Sequence, residues 1–128
     1  MKIALATSEF VHTKDGGLAR YTFRIAKYLQ AAGHQVTVVL AGAENIRFEY
    51  EGVEVHEVSC RRQEPGRIAR RLGKKLKPES LYETLDRKSE VVCAYIDSLN
   101  KSENFDLVQF PHLGGLGKRY KSSPPSVV

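Results

Sequence analysis

Apolar positions along this chain follow two alternating rhythms. Lys2–Thr7 is a short, nearly continuous apolar run, which fits a strand buried on both faces in a parallel sheet covered by helices. Ser8–Gly17 is a polar, glycine-ended loop, and from Leu18 the period changes. Leu18, Thr22, Ile25, Leu29 and Ala32 recur at helical spacing before a stop at Gly33. Val36–Leu40, rich in β-branched residues, reads as a second buried strand. Ile46, Phe48 and Tyr50, the turn signal Glu51-Gly52, then Val53 and Val55 predict a hairpin or two short, half-exposed strands. Residues 65–77 read as a short basic amphipathic helix with Ile68, Leu72 and Leu76 as its stripe. A longer helix starts near Ser80, which forms a capping-box pair with Glu83, and Leu81, Leu85, Val92, Ile96 and Leu99 form its core face. Asp106–Phe110 is another strand, Pro111–Gly117 a glycine-bearing loop, Gly117–Tyr120 a turn of helix, and Pro124–Val128 a strand just begun. Strands alternating with helices predict an α/β, doubly wound parallel sheet, a single domain over 1–128 that is incomplete at its C-terminal end.

Composition adds little to this, whereas charge adds a good deal. The net charge is +5, but residues 61–77 hold eight basic side chains against one acid, Glu64, giving +7; the rest holds 12 basic and 14 acidic groups, giving −2. Basicity therefore belongs to one segment. It reads as a solvated face, as a surface for anionic lipid, or as a site for a polyanionic acceptor. Nucleic acid is disfavoured, since no aromatic residue is interleaved with these charges. The two cysteines, Cys60 and Cys93, lack CxxC spacing and read as reduced thiols, and the opening residues are too short an apolar run for a leader or a membrane span. A cytoplasmic protein, peripheral to the inner face of a membrane if the basic segment docks there, is the expectation.

Candidate chemistry gathers in two loops. Ligands of open α/β sheets bind beyond the carboxyl ends of the strands, where neighbouring connections diverge. If the first strand and Asp106–Phe110 are neighbours, the loops at that point are Ser8–Gly17 and Pro111–Gly117, and each contains a Gly-Gly pair. Gly16-Gly17 opens the first helix, so a phosphate there meets free N–H groups, with Lys14 adding a point charge. The other reading is a tight turn with Asp15 capping the helix. No GxGxxG fingerprint is present and no acid follows the second strand, which argues against NAD. No two of His12, His34, His56 and His112 share a ligand spacing, so no metal site is expected. His34 and His56 read as strand-end or exposed residues. His112 and Glu9 each lie just past a strand's carboxyl end, within reach of a sugar hydroxyl or in solvent.

Three segments carry a resemblance. Met1–Phe10, Lys14-Asp15-Gly16-Gly17-Leu18-Ala19 and Ala32–Val39 resemble the opening of family-four and glycogen/starch-synthase-like GT-B glycosyltransferases. Phe105–His112 is similar to that family's "D-x-V-h" strand and the acceptor-side loop after it. The likeness covers most of the chain, and residues 44–104 add little to it. The resemblance implies a Rossmann-like acceptor-side domain of a retaining, metal-independent enzyme without a cofactor. Such an enzyme moves a sugar from a nucleotide-sugar donor to a glycan, lipid-linked or small-molecule acceptor. It also implies that Lys14, Gly16 and Gly17 meet the donor diphosphate, because the synthases read K-x-G-G-L there. Glu9, His112, Gly114 and Gly115 fall on the acceptor side. Asp15 stands where the synthases usually have Thr, which predicts a capping role or an acceptor contact for it. The paired glutamates and basic residue of the family belong to a C-terminal domain that partners this one, so catalytic residues stay unassigned and this piece alone should not turn over. The alternative is a non-catalytic Rossmann-like module that binds a nucleotide or glycan.

Overall fold

The computed structural model describes residues 1–62, 66–73, 77–112, 114–122 and 124–128. The elements run β1 (Lys2–Thr7), α1 (Gly17–Ala31), β2 (Gln35–Gly42), β3 (Ile46–Tyr50), β4 (Val53–Ser59), α2 (Arg67–Arg71), α3 (Leu81–Glu103), β5 (Leu107–Gln109) and β6 (Ser126–Val127). They form a six-stranded sheet in the order β3-β4-β2-β1-β5-β6. All neighbouring strands are parallel except the β3–β4 hairpin, which turns through Glu51 and Gly52, both at positive φ. The fold is thus the expected Rossmann-like α/β sheet, parallel-dominated, with one antiparallel edge.

Alternation along β1 divides the core. Ile3 and Leu5 face α1 together with Val36, Val38, Val53 and Val55, while Ala4 and Ala6 face α3 with Val92, Ile96, Phe105 and Phe110. Helices therefore cover both faces, which is why β1 and β2 read as unbroken apolar runs.

Several expectations need correction. The buried face of α1 is Ala19, Thr22 and Ala26, with Leu18, Ile25 and Leu29 only half-buried and Ala32 exposed. Small side chains let the helix backbone come close to the sheet, and the larger residues flank that contact. Leu81 is 73% exposed and does not belong to the core face of α3, whose buried residues begin at Ser89. His56 is neither exposed nor at a strand end. It lies in mid-β4, 2% exposed, because β4 is an inner strand covered by α3 as well as by the α1 side. Residues 116–119 form turns closed by Lys118 N–H to Gly115 O and Tyr120 N–H to Gly117 O, not a helical turn. The basic helix is shorter than expected, and Pro65 and Leu76 lie outside the described residues.

The long helix α3 begins as its sequence predicts. Glu83 N–H donates to Ser80 Oγ at 3.2 Å and Ser80 N–H to Glu83 Oε2 at 2.8 Å, a complete capping box. The Glu83 carboxyl is held below its ordinary range by these Ser80 hydrogen bonds. Asn104 at φ 54 ends the helix, and the chain returns to β5 beside β1.

Candidate functional site

The loop after β1 is organised from below by a buried threonine. Thr7 Oγ1 donates to Glu9 O at 2.9 Å, accepts from Glu9 N–H at 3.2 Å, and lies 3.4 Å from Thr22 Oγ1 on α1. Phe10 is fully buried and packs edge-on against Phe23 and Tyr50, pinning the middle of the loop. His12 packs against Phe48 with ring centroids 4.7 Å apart and the rings tilted by 52°. Its Nδ1 is buried without a hydrogen-bond partner among the described residues.

On this base the three candidate phosphate residues take different positions. Gly16 is the N-cap of α1, with extended backbone (φ −108°, ψ 173°) and no side-chain cap hydrogen bond, and no acid occupies the first turn. Hence no N-cap side chain accepts from the first N–H groups of this 15-residue helix, which stay available to an anion at the helix start. Neither glycine has a positive φ, so neither is required for backbone conformation. A Cβ on Gly16 would lie 2.9 Å from Glu9 Oε2, whereas one on Gly17 would meet nothing within 4 Å. Gly16 makes room for Glu9; Gly17 faces open space.

Asp15 does not cap the helix. Its carboxylate accepts two hydrogen bonds from Arg20, Nε at 2.5 Å and Nη2 at 2.6 Å, and the Arg20 hydrogen bond lowers its pKa. The negative charge is drawn towards α1's outer face, which accounts for an acid being tolerated next to the helix N-terminus. Lys14 Nζ in turn donates to Glu9 Oε1 at 2.7 Å.

Gly17 and His112 come together although 95 residues separate them. Both line an open cleft of about 520 Å³ between the start of α1 and the end of β5, with Tyr21, Gln109, Phe110 and Pro111 among its walls. Gln109 Nε2 donates to Tyr21 Oη at 3.1 Å, so the two form a polar bar along the cleft floor. Sequence reasoning missed both residues. Tyr21 is 51% exposed on the first turns of α1, three residues after Leu18 and four before Ile25, and an aromatic residue at that spacing beside the loop was the available signal. Gly114 and Gly115 lie elsewhere. Both have positive φ, 85° and 59°, and they line a second, more apolar cleft with Leu81, Leu85, Asp86 and Lys118. The Pro111–Gly117 loop, apart from Leu113, which is outside the described residues, thus borders both clefts.

The remaining histidines serve structure. His56 shares hydrogen bonds with Tyr95 Oη at 2.8 Å and Glu54 Oε1 at 2.6 Å, and His34 Nδ1 lies 3.0 Å from the amino terminus. No group of three or more potential metal ligands occurs among the described residues. No helix among them is long and apolar enough to cross a membrane. Cys60 and Cys93 are free and buried.

Comparison with known proteins agrees with this fold. No curated protein sequence matches the chain. Among solved structures, sucrose-phosphate synthase from Thermosynechococcus elongatus superposes with a TM-score of 0.59 at 20% identity, over 92% of this chain. The chain spans 29% of that protein's length. A family model described as a glycosyl transferase 4-like domain matches residues 16–116, from the N-cap of α1 to the loop beyond His112. Four fifths of the chain falls within that match, and the chain belongs to the glycosyl transferase 4-like domain family.

Proposed function

We propose that this chain is the acceptor-side wall of a retaining, metal-independent glycosyltransferase. That enzyme moves a sugar from a nucleotide-sugar donor to a hydroxyl acceptor and uses no cofactor. The observation that carries the reading is the uncapped N-terminus of α1 opening, at Gly17, into the cleft that His112 also lines. In this reading the diphosphate lies against the first N–H groups of α1, close to Gly17, where a larger side chain would occupy its space. Lys14 exchanges its contact with Glu9 for a phosphate oxygen, and Glu9, released, accepts a hydrogen bond from a sugar hydroxyl. His112 faces the sugar or the acceptor from the opposite wall. Gly114 and Gly115, bordering the apolar cleft, admit the acceptor. A second Rossmann-like domain of the same protein holds the nucleoside and closes over the cleft, which makes transfer a property of the two domains together.

The test is equilibrium binding of nucleotide sugars and free nucleoside diphosphates to the full-length protein, with Gly17→Val as the comparison. Binding of a diphosphate that the valine abolishes, in a variant that melts like the parent, is the expected result. Undiminished binding to Gly17→Val removes α1 from the site.

A further inference from the structure

Tyr21 and Gln109 meet across the cleft between α1 and β5, in a contact the fold does not depend on. Gln109 is the last residue of β5, at the carboxyl end of the sheet, and Tyr21 lies four residues beyond Gly17 on α1. Four residues are about one helical turn, roughly 6 Å along the axis, so Gly17 and Tyr21 share one face of the helix. Gln109 Nε2 donates to Tyr21 Oη at 3.1 Å, and neither side chain has another hydrogen-bond partner among the described residues. Tyr21 is half in solvent, where a neutral hydrogen bond exchanged with water adds little to stability.

The pair keeps both kinds of hydrogen-bonding capacity open. With Gln109 donating, the Tyr21 O–H is a free donor and Gln109 Oε1 a free acceptor. With the amide turned over, Tyr21 Oη becomes the acceptor and Gln109 Nε2 the donor, so the same complement is presented. A hydroxyl group both donates and accepts, whereas a phosphate dianion or a carboxylate only accepts. The rest of the lining agrees with a neutral ligand. Leu18 and Pro111 add apolar surface, and no lysine, arginine, aspartate or glutamate lines the cleft among the described residues. An anion entering it would shed water without gaining a counter-charge, while a ring with C–H faces and hydroxyl edges matches both kinds of wall.

We propose that Tyr21 and Gln109 are the specificity residues for the acceptor, and that the acceptor presents them with an uncharged polyhydroxyl ring. The substrate class is thus a neutral sugar or cyclic polyol, as opposed to a sugar phosphate or a uronic acid. This inference rests on the transfer reading above. With the diphosphate at Gly17, a ring held one turn further along α1 lies next to the sugar being transferred. Gly114 and Gly115, on the loop that His112 begins, leave room for the remainder of the acceptor.

The experiment is saturation-transfer NMR on the full-length protein, with and without a nucleoside diphosphate. The probes are glucose, mannose and myo-inositol, each beside its monophosphate ester. At least one neutral compound should bind, and its ester should bind about tenfold more weakly or worse, the scale of one uncompensated polar contact. Tyr21→Phe and Gln109→Leu should each weaken the neutral compound about tenfold, with the melting temperature and the diphosphate Kd unchanged. Gln109→Lys should turn the preference towards the ester by supplying its counter-charge. Equal or tighter binding of the esters by the parent overturns the proposal, as does binding of no neutral compound. Undiminished binding to both Tyr21→Phe and Gln109→Leu overturns it as well. A diphosphate Kd that rises in Tyr21→Phe overturns it by giving the pair to the donor. Failure of the transfer reading looks different: a neutral compound then binds through the pair while no diphosphate binds the parent.

Discussion

Lys14 Nζ lies 2.7 Å from the Glu9 carboxylate, so the cation assigned to a phosphate is already paired with the acid assigned to a sugar hydroxyl. The pair is half in solvent, with side-chain exposures of 65% and 25%, and a contact of that kind is worth little by itself. A diphosphate can therefore displace Glu9 at small cost. Lys14→Ala should raise the donor's Kd about tenfold or more, the loss of a charge-assisted contact worth roughly 1.5–3 kcal/mol. Glu9→Gln should leave donor affinity equal or improved, because it frees Lys14. Titration calorimetry on the full-length protein checks both, and a donor affinity indifferent to Lys14 removes it from the site.

The two neighbouring glycines should separate under alanine substitution. Gly17→Ala meets no atom and no forbidden φ, so its melting temperature should hold or rise slightly; reduced freedom of the unfolded chain gives about 0.4–1 kcal/mol. Its donor KM should rise. Gly16→Ala pushes against Glu9 Oε2 and should disturb the Glu9–Lys14 pair, changing acceptor kinetics as well. An unchanged donor KM in Gly17→Ala would mean that the helix start is a turn and nothing more.

Acid pH should weaken the start of α3. The Glu83 carboxyl is held below its ordinary 4.5 by hydrogen bonds from Ser80. A depressed carboxyl stabilises the fold at pH above the unfolded value, and that stabilisation disappears as pH falls through the folded value. The melting-temperature gap between parent and Glu83→Gln should thus be constant at neutral pH and narrow below about 4.5. Ser80→Ala should cost about 1 kcal/mol at neutral pH by removing the cap. A gap that widens in acid would contradict the assignment.

Tyr95→Phe should leave His56 with one hydrogen-bond partner fewer inside the sheet, at a cost of about 1–3 kcal/mol. Denaturant unfolding measures it. Donor binding should not change, since His56 lies under α3, away from the cleft.

What was legible in the sequence was whatever one face or one turn determines locally. The apolar runs of β1 and β2, the Glu51-Gly52 hairpin and the Ser80–Glu83 box each depend on neighbours a few residues away. The adjacency of β1 and β5 followed from the common order of such sheets, and with it the convergence of Gly17 and His112. Other features depend on partners distant in the chain and had no local signature. Gln109 meets Tyr21 across 88 residues. His56 is buried because β4 is covered on both sides, a fact its alternating pattern conceals. The α1 stripe of Thr22, Ile25 and Leu29 does pack on the core, but Ala19 and Ala26, weakly hydrophobic and so easy to overlook, are the most deeply buried members of that face. Asp15 read as a cap because acids before helices usually cap them; Arg20, one turn on, competes for it through two hydrogen bonds.

Cys60, just after β4, and Cys93, on the buried face of α3, belong to the same core layer, and burial raises both thiols above their ordinary pKa. A thiol that is protonated and shielded is a poor nucleophile, so both native cysteines are silent towards alkylating dyes while the domain is folded. The surface is thereby a blank field for spectroscopy. A cysteine placed at exposed Tyr21 would take a fluorophore alone, at the rim of the cleft, and its emission would follow donor arrival without removal of either native thiol.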